Sequence, residues 1–121
     1  MAGHERGRRA ELAVTDYLVA RGYVILARNL RLGRLELDVV ARRGPLVAAV
    51  EVRTRGPRSF EGALESLSFT KRLRLTRAVE RLWERRLASM RDVERIRIDV
   101  AAVTFDGAET RVEYIEGALS P

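Results

Sequence analysis

Cysteine is absent from this 121-residue chain, which removes disulfides, thiolate nucleophiles and every cysteine-based zinc site. Histidine occurs once, as His4, so imidazole-rich metal sites and Ser-His-Asp chemistry are excluded as well. The longest apolar runs, Tyr23–Ala27 and Leu46–Val50, fall far short of the roughly 20 residues that span a bilayer. No apolar segment follows the charged stretch Met1–Arg9, so no signal peptide is read, and a cytoplasmic protein with no membrane partner is expected. Walker loops and dinucleotide fingerprints are missing too, which argues against nucleotide cofactors. The chemistry open to the chain runs on carboxylates, hydroxyls and basic side chains.

What remains is the composition of a folded protein, 46% hydrophobic and 33% charged, at the length of one domain covering residues 1–121. Residues 1–9 read as a flexible tail. Basic residues outnumber acidic ones 23 to 17, for a net charge of +6. The whole excess lies in residues 1–60, which carry twelve arginines against six acids, while the rest balances at eleven each. Lys71 is the single lysine. GC-rich coding bias explains an arginine preference, but not an excess over acids, and the balance points to a polyanionic partner.

Ala10, Ala13, Val14, Tyr17 and Leu18 recur at helical spacing between about Glu5 and Arg21, and Gly22 is a suitable stop. Tyr23–Arg28 reads as a strand and Asn29–Gly33 as a loop. Leu35–Ala41 and Leu46–Thr54 are strands joined by the turn Arg42-Arg43-Gly44-Pro45. A helix is predicted from about Ser68 to Leu87, capped by Ser68 or Thr70, with Phe69, Leu73, Leu75, Val79, Leu82 and Trp83 on its buried side. Ile96–Phe105 and Thr110–Ile115 are the last strands, joined through Asp106-Gly107. The order α-β-β-β-α-β-β implies an α/β domain with a mixed sheet flanked by helices.

Alternation along the two central strands puts Glu36 and Asp38 on one face, and Glu51 and Arg53 likewise. With Ala41 facing Leu46, Glu36 lies opposite Glu51, and Asp38 is its diagonal neighbour at roughly 7–8 Å. Leu35, Leu37, Val39, Ala48, Val50 and Val52 then form the other face. Three like charges on one patch repel, and a hard divalent cation, Mg²⁺ or Mn²⁺, would relieve that repulsion. The competing reading is ordinary ion pairing, Glu51 with Arg53 or Arg55 and Glu36 with Arg34.

The stretches Leu35-Glu36-Leu37-Asp38-Val39-Val40-Ala41 and Val50-Glu51-Val52-Arg53-Thr54-Arg55 resemble the core of the bacterial YraN-like family. That family is similar to archaeal Holliday-junction resolvases and to the PD-(D/E)xK nuclease superfamily. Ala10-Glu11-x-x-Ala, Gly22-Tyr23, Asn29, Lys71, Ala78 and Arg97-x-Asp99 follow in the family's order, so the resemblance spans about residues 7–103. It implies a restriction-endonuclease-like fold with Asp38 and Glu51 as metal carboxylates, Val52 offering its carbonyl and Glu11 reaching in from the first helix. Glu36 is a further metal candidate from the strand pattern. Arg53 stands where the family has a catalytic lysine; arginine keeps the positive charge but cannot act as a general base.

At 100° per residue, Lys71, Arg74, Arg77, Arg81 and Arg85 share about a third of the helix circumference. They read equally as phosphate contacts or as a solvated face with Arg77–Glu80 and Arg81–Glu84 pairs. Arg53, Arg55 and Arg58, beside the acids, are the other phosphate candidates, with Lys71 and Arg74. Trp83, Tyr17 and Tyr23 are expected to pack, and Asp99 to pair with Arg97. The functional expectation is DNA binding with metal-dependent phosphodiester hydrolysis, on branched or structured DNA and from a chain able to act as a homodimer. The alternatives are a nucleic-acid-binding member impaired by Arg53, or a protein-interaction module.

Overall fold

The computed structural model describes residues 3–56, 62 and 64–119. Helix α1 (Gly3–Ala20) leads into a meander of β1 (Val24–Leu32), β2 (Leu35–Arg43) and β3 (Leu46–Arg55). Helix α2 (Phe69–Leu82) then crosses over to β4 (Arg95–Asp106) and β5 (Glu109–Leu119). The strands form one mixed sheet in sequential order, β3 and β4 parallel and the other neighbours antiparallel. A parallel neighbour needs a long crossover, and α2 supplies it. The α-β-β-β-α-β-β order read from the sequence is the order observed.

The two helices cover opposite faces. Ala10, Val14 and Leu18 of α1 pack on Val39, Ala41, Ala48, Val50, Ala101 and Val103. Leu75, Ala78, Val79 and Leu82 of α2 pack on Leu37, Val40, Val47, Ala49, Val100 and Ala102. Between the small alanines and valines of β3 and β4 both helices approach closely, so the sheet centre is buried on each side. Among the described residues no helix is long and apolar enough to cross a membrane.

Several boundaries move. Helix α1 begins at Gly3, so residues 3–9 are helical rather than a tail; Glu5 sits in the first turn, where it complements the helix dipole, and the Arg9 guanidinium lies 4.8 Å above the Phe105 ring. Strand β1 continues through Asn29–Leu32, most of the expected Asn29–Gly33 loop, because Leu30, Arg31 and Leu32 pair with Leu37, Glu36 and Leu35 on β2. The helix after Ser68 turns π-helical from Trp83 to Leu87. Phe69 and Leu73 are not buried: they are 80% and 40% exposed, since the stripe set by Leu75, Ala78, Val79 and Leu82 faces the sheet and leaves them outside it.

Asp99 is the ion pair expected, and more. Fully buried on the α1 face, it accepts hydrogen bonds from Arg97 Nε (2.7 Å) and Nη2 (2.9 Å), the Tyr114 hydroxyl (2.6 Å) and the Gly117 amide (2.9 Å). Arg97 also donates to the Tyr23 hydroxyl at 2.8 Å, tying the end of α1 to β4 and β5. Burial, and then the bond to the Asp99 carboxylate, hold the Tyr114 phenol far above its usual range. Tyr17 stacks on Tyr114 at 4.9 Å, and Trp83 packs against the α2-side core.

Candidate active site

The hairpin joining β2 to β3 is shorter than its composition implied. Arg43 pairs with Leu46, leaving Gly44-Pro45 as a two-residue turn. Gly44 has φ of +60°, a value that glycine reaches without strain, and Pro45 fixes its own φ, the combination suited to a type II′ turn. Ala41 consequently faces Ala48, not Leu46. The slip is by two residues, so the faces survive along the paired stretch but the partners change, and the same register carried one step further brings Asp38 level with Glu51.

The β2–β3 ladder reaches Val39↔Val50 and stops there. The next amide of β3 to face β2, that of Val52, donates to Asp38 Oδ2 at 2.8 Å. A side chain thus takes the place of a backbone carbonyl where the strands part. Strand β3 stays with β4 as far as Arg55↔Thr104, while β2 departs with β1.

Alternation also breaks at this point. Leu30, Leu35 and Leu37 pack with the α2-side core, yet Val39 and Ala41 pack with the α1-side core. The change falls at Asp38 and at Asn29 across from it, whose φ of +51° is the sole left-handed value among described non-glycine residues. Leu35 and Leu37 facing α2 turn Glu36 toward α1. The three-acid patch expected from simple alternation is therefore not formed: Glu36 is separated from Glu51 by the sheet. It lies within Coulombic reach of Glu11 instead. The Glu11 carboxyl is raised above its ordinary value chiefly by burial, against the lowering effect of the Asn29 side chain, with Asp38 and Glu36 adding repulsion. Among the described residues no three acidic side chains converge into a ready cage.

Glu51 is only 2% exposed and points to the α2 side. Burial, reinforced by the neighbouring Asp38 carboxyl, pushes its pKa up to about 8 despite the opposing Lys71 ammonium. Lys71 Nζ lies 3.1 Å from Glu51 Oε2 as an ion pair, and beyond that contact the buried oxygen has room for a further partner. Local sequence explains the contact. Ser68 Oγ accepts the Lys71 amide at 3.1 Å and starts α2 there, placing Lys71 on the same stripe as Leu75, Ala78 and Leu82.

Arg53, at the motif-lysine position, is engaged elsewhere. Its Nε and Nη2 donate to the hydroxyl (3.3 Å) and carbonyl (3.1 Å) of Ser66. Arg55 donates to Thr104 Oγ1 at 3.1 Å and pairs with Glu113, across β4. Arg58 lies outside the described residues. Arg74 and Arg77 are exposed, and the Arg77–Glu80 and Arg81–Glu84 pairs are not formed; Arg81 donates to the Leu32 carbonyl at 3.1 Å instead. The structure thus brings together Asp38, Glu51 and Lys71, with Val52 bonded to the first. The sequence pattern reads Lys71 as a phosphate contact or as part of a solvated face, not as a partner of Glu51. The solitary status of Lys71 and its place in the apolar stripe were the available signals.

Asp38, Glu51 and the Val52 carbonyl are hard oxygen donors, and the buried Glu51 oxygen beside a second carboxylate fits a hard divalent cation. The sequence pattern of an uncharacterised protein family, UPF0102, matches residues 10–103, a span holding every one of these groups. A UPF0102 protein of Sorangium cellulosum is 53% identical over 114 residues, covering 93% of this chain and 79% of the relative. One from Moorella thermoacetica is 40% identical over 122 residues, covering 98% of each. The chain belongs to UPF0102, the YraN family whose motifs its sequence carries.

Proposed function

We propose that this protein is a DNA-binding, metal-dependent endonuclease of the PD-(D/E)xK type, working on cytoplasmic DNA. The observation that carries the reading is the pairing of the buried Glu51 with the half-buried Asp38 at the point where β2 and β3 part, with one ammonium, Lys71, held against Glu51. A buried carboxylate beside a second, half-buried one is costly unless a cation shares them. Asp38, Glu51 and the Val52 carbonyl would hold Mg²⁺ or Mn²⁺, which supplies Lewis-acid stabilisation of the phosphate and an activated water. Ligand carboxylates must be ionised, so cation affinity rises with pH toward the Glu51 value of about 8.

Lys71 takes the part that the motif lysine has in related nucleases. It keeps a positive charge beside Glu51, where the scissile phosphate must lie, while Arg53 braces the segment before α2 through Ser66. The arginine at position 53 therefore does not in itself remove activity. Arg74, exposed on the same helix, continues the positive surface for the phosphate backbone.

Incubation with plasmid and four-way-junction DNA in Mg²⁺ or Mn²⁺ tests this. Cutting is expected from the wild type, with losses of about 10²–10³-fold for Lys71→Met, the scale of a single electrostatic donor. Glu51→Gln should abolish it, and Arg53→Met should retain most of it. Cutting that survives Glu51→Gln removes the assigned site. Metal-independent DNA binding without cutting would favour the binding-only reading.

A further inference from the structure

A phenylalanine left 80% exposed at the start of a braced helix is an expensive place for an apolar ring. Phe69 is not on a loose end. Ser68 caps the helix, Arg72 donates to the carbonyls of Leu64 (2.9 Å) and Leu67 (3.3 Å), and Arg53 holds Ser66. The ring is presented by a fixed frame. Leu73, four residues on and 40% exposed, continues the same apolar strip.

The order of side chains round α2 gives the strip a meaning. Steps of about 100° per residue run from Lys71, facing the sheet, through Arg74 and Arg77 to Leu73 and Phe69 on the outer side. Neither Arg74 nor Arg77 makes an ion pair among the described residues, in contrast to Arg55 and Arg97. Free cations therefore lie between the carboxylate site and the apolar strip. A helix is about 10 Å across, so Phe69 stands about three stacked nucleotide steps from Lys71 and Glu51. A strand whose phosphates follow Lys71, Arg74 and Arg77 would carry its bases over Leu73 and Phe69.

We infer that Phe69, supported by Leu73, is a stacking platform for an unpaired nucleobase, so that the substrate is DNA with single-stranded or splayed character beside the cutting point. The inference rests on the nucleic-acid reading of the Asp38–Glu51 site. A continuous duplex keeps its bases stacked on one another and offers no face to the ring. A single strand or a fork does, and stacking on an aromatic tolerates any base.

The test is fluorescence anisotropy of the full chain in EDTA with a single strand, a forked duplex and a blunt duplex of matched length. Phe69→Ala should weaken binding to the first two by about 5- to 100-fold while changing duplex binding by less than about twofold. Phe69→Trp should restore the preference. Phe69→Ala indistinguishable from a wild type that binds DNA overturns the platform and leaves the nuclease reading standing. Equal weakening on all three DNAs overturns it likewise. A wild-type dimer that Phe69→Ala splits in sedimentation, with DNA binding unchanged, assigns the strip to self-association instead. A wild type that binds none of the three DNAs overturns the platform and the nucleic-acid reading together.

Discussion

Replacing Glu51 with glutamine should make the protein more stable while destroying its proposed activity. Glu51 is buried, has one ammonium beside it and another carboxyl next to that, and its pKa is displaced from 4.5 to about 8. Below about pH 4.5 the carboxyl is protonated in both folded and unfolded chains and carries no ionisation cost. Between that value and about 8 the unfolded chain has released a proton that the folded chain retains, so stability falls as pH rises. At 1.36 kcal/mol per pH unit the fall is about 5 kcal/mol at most. Dielectric relaxation around the carboxyl reduces it, and about 2–5 kcal/mol is the working range. Glutamine has the same shape and no charge to desolvate. Thermal unfolding in EDTA should thus show a Tm for Glu51→Gln about 8–20 °C above wild type at about pH 8.5, shrinking toward nothing near pH 4.5. Adding Mn²⁺ should narrow the gap by stabilising the wild type alone. A difference independent of pH, or a variant less stable than wild type at high pH, would refute the account of Glu51 as a strained, ionisable group.

Asp99→Ala should cost about 3–5 kcal/mol in urea unfolding, because it leaves the half-buried Arg97 guanidinium, the Tyr114 hydroxyl and the Gly117 amide without their shared, fully buried acceptor. An effect below about 1 kcal/mol would show that the network is replaceable by water. Arg74→Ala combined with Arg77→Ala should flatten the slope of log K against log salt for duplex DNA by about 1.8, at about 0.9 for each phosphate no longer neutralised. An unchanged slope would remove this stripe from the interface.

Helix and strand identities were legible because hydrophobic period carries them, and Asp38 and Glu51 were legible because they interrupt apolar strands. Partners were harder to read. Four polar or turn-forming residues, Arg42 to Pro45, look like a loop, yet the backbone needs only Gly44 and Pro45 to reverse, and the arginines remain in the ladder. Asn29 to Leu32 look like a loop by propensity, but pairing with β2 overrides it. The face change at Asp38 has no signature in a period-two pattern, so Glu36 was grouped with the wrong neighbours. Lys71 and Phe69 exchanged expected environments for one reason: the phase of a helix follows its most numerous apolar contacts, and the first turn takes whatever is left. Contacts that depend on which side chain wins a contested position, such as Arg53 with Ser66, need coordinates.

The bond from the Val52 amide to Asp38 ties two kinds of constraint to one atom. The same oxygen that would help hold a cation also ends a sheet, satisfying an amide that otherwise points into a gap between diverging strands. A descendant chain released from any need for chemistry would still require an acceptor at position 38, and asparagine or serine would meet that need where alanine would not. Loss of function in this fold therefore has a graded route, in which charge disappears first and architecture stays. Retained shape at position 38 is then a record of folding, and only retained charge there would be a record of the proposed chemistry.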